Sequence, residues 1–325
     1  MAVYTQVDAS EFQVLLEGLG LGALLTLTGV EEGLENSTYF VELAGGQYQH
    51  LVLTVLEVDS PQQIAFSVEF MRHLSRSKLP VPTLISDSAG HVIHHLSGKR
   101  ALLCERLEGA HPAEITVAHC AAIGDFLGAM HVAGANFPST YENPQGLSWA
   151  KNALGNLLDA SPENQYLSVS DQTLLREQIT RFERIQEQSA LPRGPIHADL
   201  FRDNTLFVGD TLKAVIDFNS AGVDCFLLDL AIAVNDWAGN TEGVFDQALV
   251  EALLNAYQRH RPLTSAEQKS WQDVLCFAAA SFWLSRLVTY HLGGVDLLQK
   301  ANKNPSEYRQ KLHTHRMKTL VIPRA

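Results

Sequence analysis

Cysteine is scarce in this sequence. Four cysteines occur in 325 residues, at Cys104, Cys120, Cys225 and Cys276, and no two of them form a CxxC pair. Thiols spaced in this way indicate neither a disulfide framework nor a zinc site, and they are typical of a reducing compartment. We therefore predict a cytoplasmic protein.

Positive charge and long apolar runs are also limited. The chain has 24 Lys and Arg residues against 36 Asp and Glu, which gives a net charge of −12. This sign does not suit a general partner of nucleic acids or of anionic membranes. Residues 1–10 lack the basic flank and apolar core of a signal peptide, and no apolar run is expected to span a bilayer. We predict no nucleic-acid partner and no membrane partner; the sequence indicates no particular oligomeric state.

A length of 325 residues is large for one hydrophobic core, so two domains are expected. In residues 1–107 short apolar strands are predicted at 38–43, 50–56 and 101–107, with a helix from Pro61 to about Ser77. The turn between the first two strands contains Gly45 and Gly46. This domain is predicted to be a small antiparallel sheet with accompanying helix.

Residues 108–325 have a different character, because their apolar residues recur mainly at helical spacing. Helices are predicted at 118–133 and 171–188 and over most of 228–292. A hairpin is predicted at 204–216, with its turn at Gly209 and Asp210. The whole chain is therefore predicted to be an α+β protein with a larger, mainly helical C-terminal domain.

The most specific motif is the run Pro-Ile-His-Ala-Asp-Leu-Phe-Arg-Asp-Asn at 195–204, followed by an apolar strand that ends at Asp217. Phosphoryl transfer to a hydroxyl needs a carboxylate that accepts the proton, and oxygen ligands that hold Mg²⁺ on the nucleotide phosphates. Because the two strands of a hairpin run in opposite directions, Asn204 and Asp217 lie at the same open end of the hairpin, where both can bind one ion. We predict Asp199 as the catalytic base and Asn204 and Asp217 as ligands of Mg²⁺ on ATP. The alternative is a chance hairpin.

Two neighbours of these residues allow more than one interpretation. His197 is predicted to hold the loop by a hydrogen bond to the backbone, since Asp199 already supplies the base. Arg202 would contact a phosphate or a substrate carboxylate, or else pair with a surface acid. The residue pattern does not decide between these roles.

The sequence has no GxxxxGK[ST] run, which excludes a P-loop nucleotide site. Residues 29–38, Gly-Val-Glu-Glu-Gly-Leu-Glu-Asn-Ser-Thr, are a candidate for a loop that covers phosphates instead. Asn36, Ser37 and backbone amides would then be the hydrogen-bond donors. The alternative is an ordinary turn.

Several stretches together resemble the aminoglycoside phosphotransferase and choline kinase family. They are residues 33–40, 69–74, 194–204, 229–237 and 282–287, and they span nearly the whole chain. The loop at 194–204 indicates the broad family, whereas the Glu-Asn-Ser segment and the Val-Asn-Asp-Trp segment resemble the homoserine kinases within it. The resemblance implies a bilobal protein-kinase-like fold. It also implies ATP-dependent phosphorylation of the side-chain hydroxyl of L-homoserine, a step of threonine biosynthesis.

The resemblance also implies roles for residues outside the loop. Glu105 and Leu107 lie in a segment that matches the hinge whose backbone groups bind adenine. Thr54 stands where protein kinases have a strand lysine, and Glu69 matches the helix glutamate that pairs with that lysine. Without the lysine, Glu69 is better interpreted as a solvent-facing residue. Asp229 resembles the acid that steadies the catalytic loop.

Recognition of L-homoserine requires an acid and a base, because this substrate carries an ammonium and a carboxylate. Asn235, Asp236, Trp237 and Arg286 are the predicted substrate-binding residues. The alternative for Arg286, an arginine on an apolar helix, is a structural ion pair with Asp236 or Asp229.

Two other functions remain open from the sequence. One is a kinase of the same fold for another small hydroxyl compound, either an aminoglycoside or a choline-like amino alcohol. The other is an inactive, nucleotide-binding pseudokinase, which the missing strand lysine favours and the intact Asp199, Asn204 and Asp217 oppose.

Overall fold

A computed structural model describes residues 3–30, 36–57, 60–160, 166–292 and 304–323 of the chain. The protein divides into two compact units. The first consists of Met1–Gly109 with Lys213–Ile216, and the second consists of Ala110–Leu212 with Asp217–Ala325.

The first unit contains a five-stranded antiparallel sheet with the strand order β1-β2-β3-β5-β4. The strands are β1 (Ala23–Gly29), β2 (Ser37–Ala44), β3 (His50–Val55), β4 (Ile93–Leu96) and β5 (Lys99–Glu105), and the helices are α1 (Ala9–Gly18) and α2 (Pro61–Arg76). The predicted strands at β2, β3 and β5 and the predicted helix α2 are all present, and β1 and β4 are additional. The N-terminal region therefore contains the predicted antiparallel sheet and its helix.

Alternation of burial explains why these segments form a sheet. In β2 every second residue is buried, including Tyr39, Val41 and Leu43, so one face packs on the core. The turn between β2 and β3 needs Gly45 and Gly46, whose φ angles are +73° and +83°, because other residues rarely adopt this conformation.

The two helices of this unit begin differently. Asp8 is the N-cap of α1, and its side chain accepts hydrogen bonds from the Ser10 and Glu11 amides. Ser60 is the N-cap of α2, followed by Pro61, although its side chain makes no cap hydrogen bond.

The second unit is mainly helical. Its helices are α3 (Val117–Gly134), α4 (Leu147–Asp159), α5 (Val169–Gln188), α6 (Phe226–Trp237), α7 (Gln247–His260), α8 (Ser265–His291) and α9 (Pro305–Met317). A short strand β6 (Arg193–Ile196) pairs antiparallel with β9 (Gly222–Cys225). Between them in sequence, β7 (Thr205–Val208) and β8 (Thr211–Val215) pair across Gly209 and Asp210, as predicted. The predicted helices are confirmed; α4 and α9 are additional.

Helix α3 is the apolar helix that bears on the expectation about membrane spans. Among the described residues it is the one helix that is long and apolar enough to cross a membrane, with a mean hydropathy of 1.2, and 56% of it is buried inside the protein. Its glycines let it approach α7 closely, since a Cβ on Gly124 would lie 2.0 Å from the carbonyl oxygen of Leu253. A buried core helix satisfies the same test of length and composition.

Candidate active site

The loop after β6 is held by a buried carboxylate. Asp229, in the first turn of α6, accepts hydrogen bonds from the backbone amides of His197 and Ala198, both at 2.9 Å. Ala198 has a φ of +63°, a strained conformation for a residue with a side chain. The two hydrogen bonds stabilise that strained turn and fix the direction in which the chain enters Asp199.

Asp229 is itself supported by a buried hydrogen-bond chain. The Nε2 of His131 lies 3.0 Å from its Oδ2, and the Nδ1 of His131 lies 2.8 Å from the hydroxyl of Tyr257. Burial raises the pKa of Asp229, but the hydrogen bond from His131 and the nearby charges outweigh it and leave the pKa below its ordinary value. Burial lowers the pKa of His131. The pair is therefore an ionised carboxylate that accepts a hydrogen bond from a neutral imidazole.

Asp199 and Asn204 meet within the loop. The Nδ2 of Asn204 donates to the backbone carbonyl of Asp199 at 2.8 Å and to its Oδ2 at 3.1 Å. Asn204 is buried, at the end of a 3-10 turn over Arg202–Asn204. Because its amide nitrogen faces Asp199, its amide oxygen is the atom available for a cation.

His197 has the structural position that the sequence predicts. Its ring is fully buried, and its Nδ1 accepts from the amide of Asp199 at 3.3 Å. The ring also packs on Phe218, with centroids 4.6 Å apart. Phe218 directly follows Asp217, so this contact places the Asp217 turn next to the catalytic loop.

Asp217 adopts an unusual backbone conformation at an exposed position. Its φ and ψ are +62° and +69°, and its carboxylate accepts from the amide of Asn219 at 3.3 Å. A left-handed aspartate at the end of a strand is uncommon and often marks a functional position. No group of three or more His, Cys, Asp or Glu side chains among the described residues could hold a metal. An amide oxygen with a carboxylate suits Mg²⁺ only if phosphate and water complete its ligands.

Arg202 is bound to Asp236 rather than to a surface acid. Its backbone amide donates to the Asp236 carboxylate at 2.9 Å, its Nε does so at 3.3 Å, and its Nη2 donates to the Asp236 carbonyl. Asp236 is only 7% exposed. These contacts favour a role in which Arg202 fixes the loop on α6, instead of the predicted contact with ATP phosphates.

The other predicted substrate residues lie in different environments. Asn235 and Trp237 are each 1% exposed. The side chain of Asn235 bonds to His315 and to the carbonyl of Leu275, and the indole N–H of Trp237 donates to the carbonyl of Leu200. Such burial favours structural roles for both. Arg286 does not pair with Asp236 or Asp229, as its structural alternative proposed; its Nη1 lies 2.5 Å from Glu307 on α9.

In the first unit, Asn36 and Ser37 are used by the protein itself. Ser37 is fully buried; its hydroxyl accepts from the amides of Tyr4 and Thr5 and donates to Glu57 at 2.5 Å. The Oδ1 of Asn36 accepts from the Glu57 amide at 3.1 Å. These contacts support structural roles for both side chains. The rest of the predicted phosphate loop, residues 31–35, lies outside the described residues.

The predicted hinge is the end of β5. The amide of Arg106 donates to the carbonyl of His50 at 3.1 Å, so His50 and Arg106 form a hydrogen-bonded pair beyond the ladder. Such pairs alternate along an antiparallel ladder, which turns the backbone groups of Glu105 away from β3. The Glu105 amide then donates to Thr83 at 3.4 Å. Glu69 on α2 is exposed and pairs with Arg72 at 3.3 Å, as expected for a solvent-facing residue.

Sequence reasoning missed the contribution of α9. Its start has a recognisable signal, because Asn304 caps the helix and Pro305 occupies its first turn. Tyr308 and Leu312, four residues apart, are fully buried. The polar composition of 304–317 hid this short apolar stripe.

Comparison with known proteins identifies the family of this chain. Residues 26–263 match the phosphotransferase enzyme family designated APH. The chain belongs to this family. It is 40% identical over 296 residues to a homoserine kinase of Janthinobacterium sp. (strain Marseille), covering 90% of this chain and 89% of that protein. It is 36% identical over 325 residues to a homoserine kinase of Pseudomonas aeruginosa (strain LESB58), covering 99% of each. The predicted family is therefore confirmed.

Structures of small-molecule kinases share the fold. A microcompartment-associated aminopropanol kinase superposes with a TM-score of 0.70 at 19% identity, covering 97% of this chain and all of that one. A choline kinase from Cryptosporidium parvum Iowa II gives a TM-score of 0.61 at 15% identity, covering 91% of this chain and 91% of that one. These similarities confirm the predicted protein-kinase-like fold class.

Proposed function

We propose that this protein is a kinase that phosphorylates the side-chain hydroxyl of L-homoserine with ATP and Mg²⁺, yielding O-phospho-L-homoserine for threonine biosynthesis in the cytoplasm. The observation that carries the proposal is the contact of Asn204 with Asp199 in a loop fixed by the buried Asp229. The identity of the substrate is inferred from homoserine kinases that are 34–40% identical over most of the chain.

In this proposal Asp199 accepts the proton of the substrate hydroxyl. Its carboxylate, which accepts a hydrogen bond from Asn204, would orient the hydroxyl and take its proton as the oxygen attacks phosphorus. Because phosphoryl transfer passes through a loose transition state, positioning of this hydroxyl contributes more than the basicity of the carboxylate.

Asn204 and Asp217 are the proposed ligands of the metal. The amide oxygen and the carboxylate are hard ligands that suit Mg²⁺. Asn204 donates a hydrogen bond to the carbonyl of Asp199, and Phe218, the residue after Asp217, packs on the ring of His197. Bound there, Mg²⁺ would neutralise the charge of the triphosphate. The remaining ligands would be phosphate oxygens and water.

The nucleotide is proposed to be bound by residues 1–107, and catalysis and substrate binding to lie in residues 108–325. Glu105 and Leu107 supply backbone groups for adenine in this proposal. The internal bonds of Asn36, Ser37 and Arg202 support positioning roles for these residues, in place of direct phosphate contacts. Among the substrate residues, Asp236 and Arg286 are favoured over the buried Asn235 and Trp237.

The decisive experiment is product identification with the purified protein. ATP, Mg²⁺ and L-homoserine should yield ADP and O-phospho-L-homoserine in equal amounts, detected by phosphorus NMR and mass spectrometry. L-serine, choline, an aminoglycoside and a reaction without acceptor are the controls. Faster transfer to choline or to the aminoglycoside would support the other small-molecule kinases, and ATP binding without ADP release would support a pseudokinase.

A further inference from the structure

A cluster of charged side chains joins α8 and α9. The two carboxylate oxygens of Glu307 lie 2.5 Å from Arg286 Nη1 and 2.6 Å from Lys311 Nζ. Lys311 is completely buried, whereas the side chains of Arg286 and Glu307 keep 13% and 18% of their exposure. Within the described part of the chain, two cations thus share one carboxylate.

This ratio leaves one positive charge that Glu307 does not balance. A buried charge is costly unless a partner of opposite sign compensates it. Burial lowers the pKa of Lys311, and the opposing effects of Glu307 and Asp236 do not restore it to its ordinary value. Among the described residues, Arg286 donates from Nη1 to Glu307 and to the carbonyl of Asn304, although a guanidinium has five N–H donors. A carboxylate ligand would balance the remaining positive charge and accept hydrogen bonds from the other N–H donors of Arg286.

Tyr308 adds a second, independent observation. The Arg286 guanidinium carbon lies 4.4 Å and Lys311 Nζ lies 4.5 Å from the centre of its ring. Its hydroxyl is buried and has no hydrogen-bond partner among the residues that the structure describes. A buried hydroxyl without a partner is rare and costly, so it indicates a missing acceptor.

The cluster lies close to the catalytic loop. The ring of Tyr308 is 6.2 Å from that of Phe201 and 5.4 Å from that of Phe282, measured between centroids. Phe201 is two residues after Asp199. Burial raises the pKa of Tyr308, and the Asp199 carboxylate is close enough to raise it further. In L-homoserine, two methylene groups separate the hydroxyl from the α-carbon, which carries the ammonium and the carboxylate. If the hydroxyl binds at Asp199, both charged groups must therefore bind within a few bond lengths of it.

We propose that Arg286 and Tyr308 bind the carboxylate of the amino-acid substrate and that Glu307 binds its ammonium. Lys311 is a positioning residue: it keeps Glu307 ionised and oriented when Arg286 turns to the substrate. The proposal rests on the proposed function, and it identifies the chemical groups by which the site would select an amino acid over a simple amino alcohol.

The first test uses Tyr308→Phe, which keeps the ring and removes only the hydroxyl that has no partner. The KM for L-homoserine should rise roughly 10-fold, as for loss of a hydrogen bond to a charged group. The KM for ATP, the thermal unfolding midpoint and the KM for 3-aminopropan-1-ol, which lacks the carboxylate, should stay unchanged. An unchanged KM for L-homoserine, or an equal rise for 3-aminopropan-1-ol, would overturn the carboxylate assignment.

The second test addresses the ammonium. Glu307→Gln should reduce the preference for L-homoserine over 4-hydroxybutanoate, which lacks the ammonium, by roughly 10- to 100-fold. Lys311→Met should give a smaller change in the same preference, and Lys311→Arg should restore it. Arg309→Met is the matched control, because Arg309 lies on the same helix, is 44% exposed and pairs with Asp171. An unchanged preference in a folded Glu307→Gln protein contradicts the assignment.

The two proposals fail in different ways. A wild-type protein that transfers no phosphate to L-homoserine overturns the proposed function. A wild-type protein that does so, while Tyr308→Phe and Glu307→Gln keep the wild-type preferences among the three acceptors, overturns only this inference.

Discussion

The loop around Asp199 and the segment around Ser37 were both predicted to contact ATP–Mg²⁺, yet their polar side chains are used differently. In the loop, the backbone is held by Asp229, and the Asp199 carboxylate accepts a hydrogen bond from the side chain of Asn204. In the segment, the Ser37 hydroxyl already makes three hydrogen bonds within its own unit.

The difference shows how a site residue is distinguished from a structural one. A reacting side chain needs its backbone fixed by other residues so that its own polar atoms remain available. For Asp199 the backbone is fixed in this way, by Asp229 and His197. Ser37 does not, because its own oxygen fixes the segment of Tyr4 and Thr5.

The largest expected effect is that of Asp199→Asn. Removing the base should lower kcat by roughly 10³-fold, within the range for general-base catalysis, while the KM for ATP changes less than about threefold. Steady-state rates of ADP release measure both quantities. Asp210→Asn, in the exposed turn of the neighbouring hairpin, serves as the control and should keep the wild-type rate. A kcat near that of the wild type would refute the assignment of Asp199 as base.

Asp217→Ala should have the next largest effect. Because a direct metal ligand is lost, the affinity for ATP in the presence of Mg²⁺ should fall by about 100-fold, whereas binding of ATP measured with EDTA should not change. Isothermal titration calorimetry under the two conditions separates these effects. Equal losses with and without Mg²⁺ would indicate damage to the fold instead of a metal site.

The sequence was sufficient for the parts of the molecule that local patterns determine. Short apolar runs joined by a Gly-Gly turn predicted β2 and β3, and the order of Asp199, Asn204 and Asp217 indicated the candidate site, in which Asn204 contacts Asp199. The partners of Arg202 and Arg286 were not predictable, because ion pairs such as Arg286–Glu307 join helices whose packing no local pattern encodes. The burial of Asn235 and Trp237 was not predictable either, because it results from helix packing that leaves α6 buried on all sides.

Ser37→Ala should affect stability more than nucleotide binding. The substitution leaves the amides of Tyr4 and Thr5 and one oxygen of Glu57 without their partner, which should lower the free energy of unfolding by about 2 kcal/mol. Urea denaturation measures this change, with the exposed Ser10→Ala as control. If instead the KM for ATP rose tenfold in a protein of unchanged stability, Ser37 would belong to the nucleotide site like Asp217.

The smallest effect concerns His315 on α9. Burial lowers its pKa to about 3; its Nε2 lies 2.6 Å from Asn235, and its Nδ1 has no partner among the described residues. The unfolded chain, with an ordinary histidine pKa near 6.5, binds the proton more readily, so the free energy of unfolding must fall as the pH drops below about 6.5. The contribution of His315 at pH 5.5 is a loss of about 1.4 kcal/mol relative to pH 7.5.

His315→Gln keeps an N–H donor for Asn235 but cannot be protonated, so urea denaturation at the two pH values should show a loss smaller than that of the wild type by about this amount. The exposed His91→Gln should leave the wild-type loss unchanged. An equal loss in the wild type and His315→Gln would mean that His315 is not neutral in the folded protein. In that case His315, which bonds to Asn235 of α6, would be charged like the cluster around Glu307 and unlike the neutral His131 that bonds to Asp229.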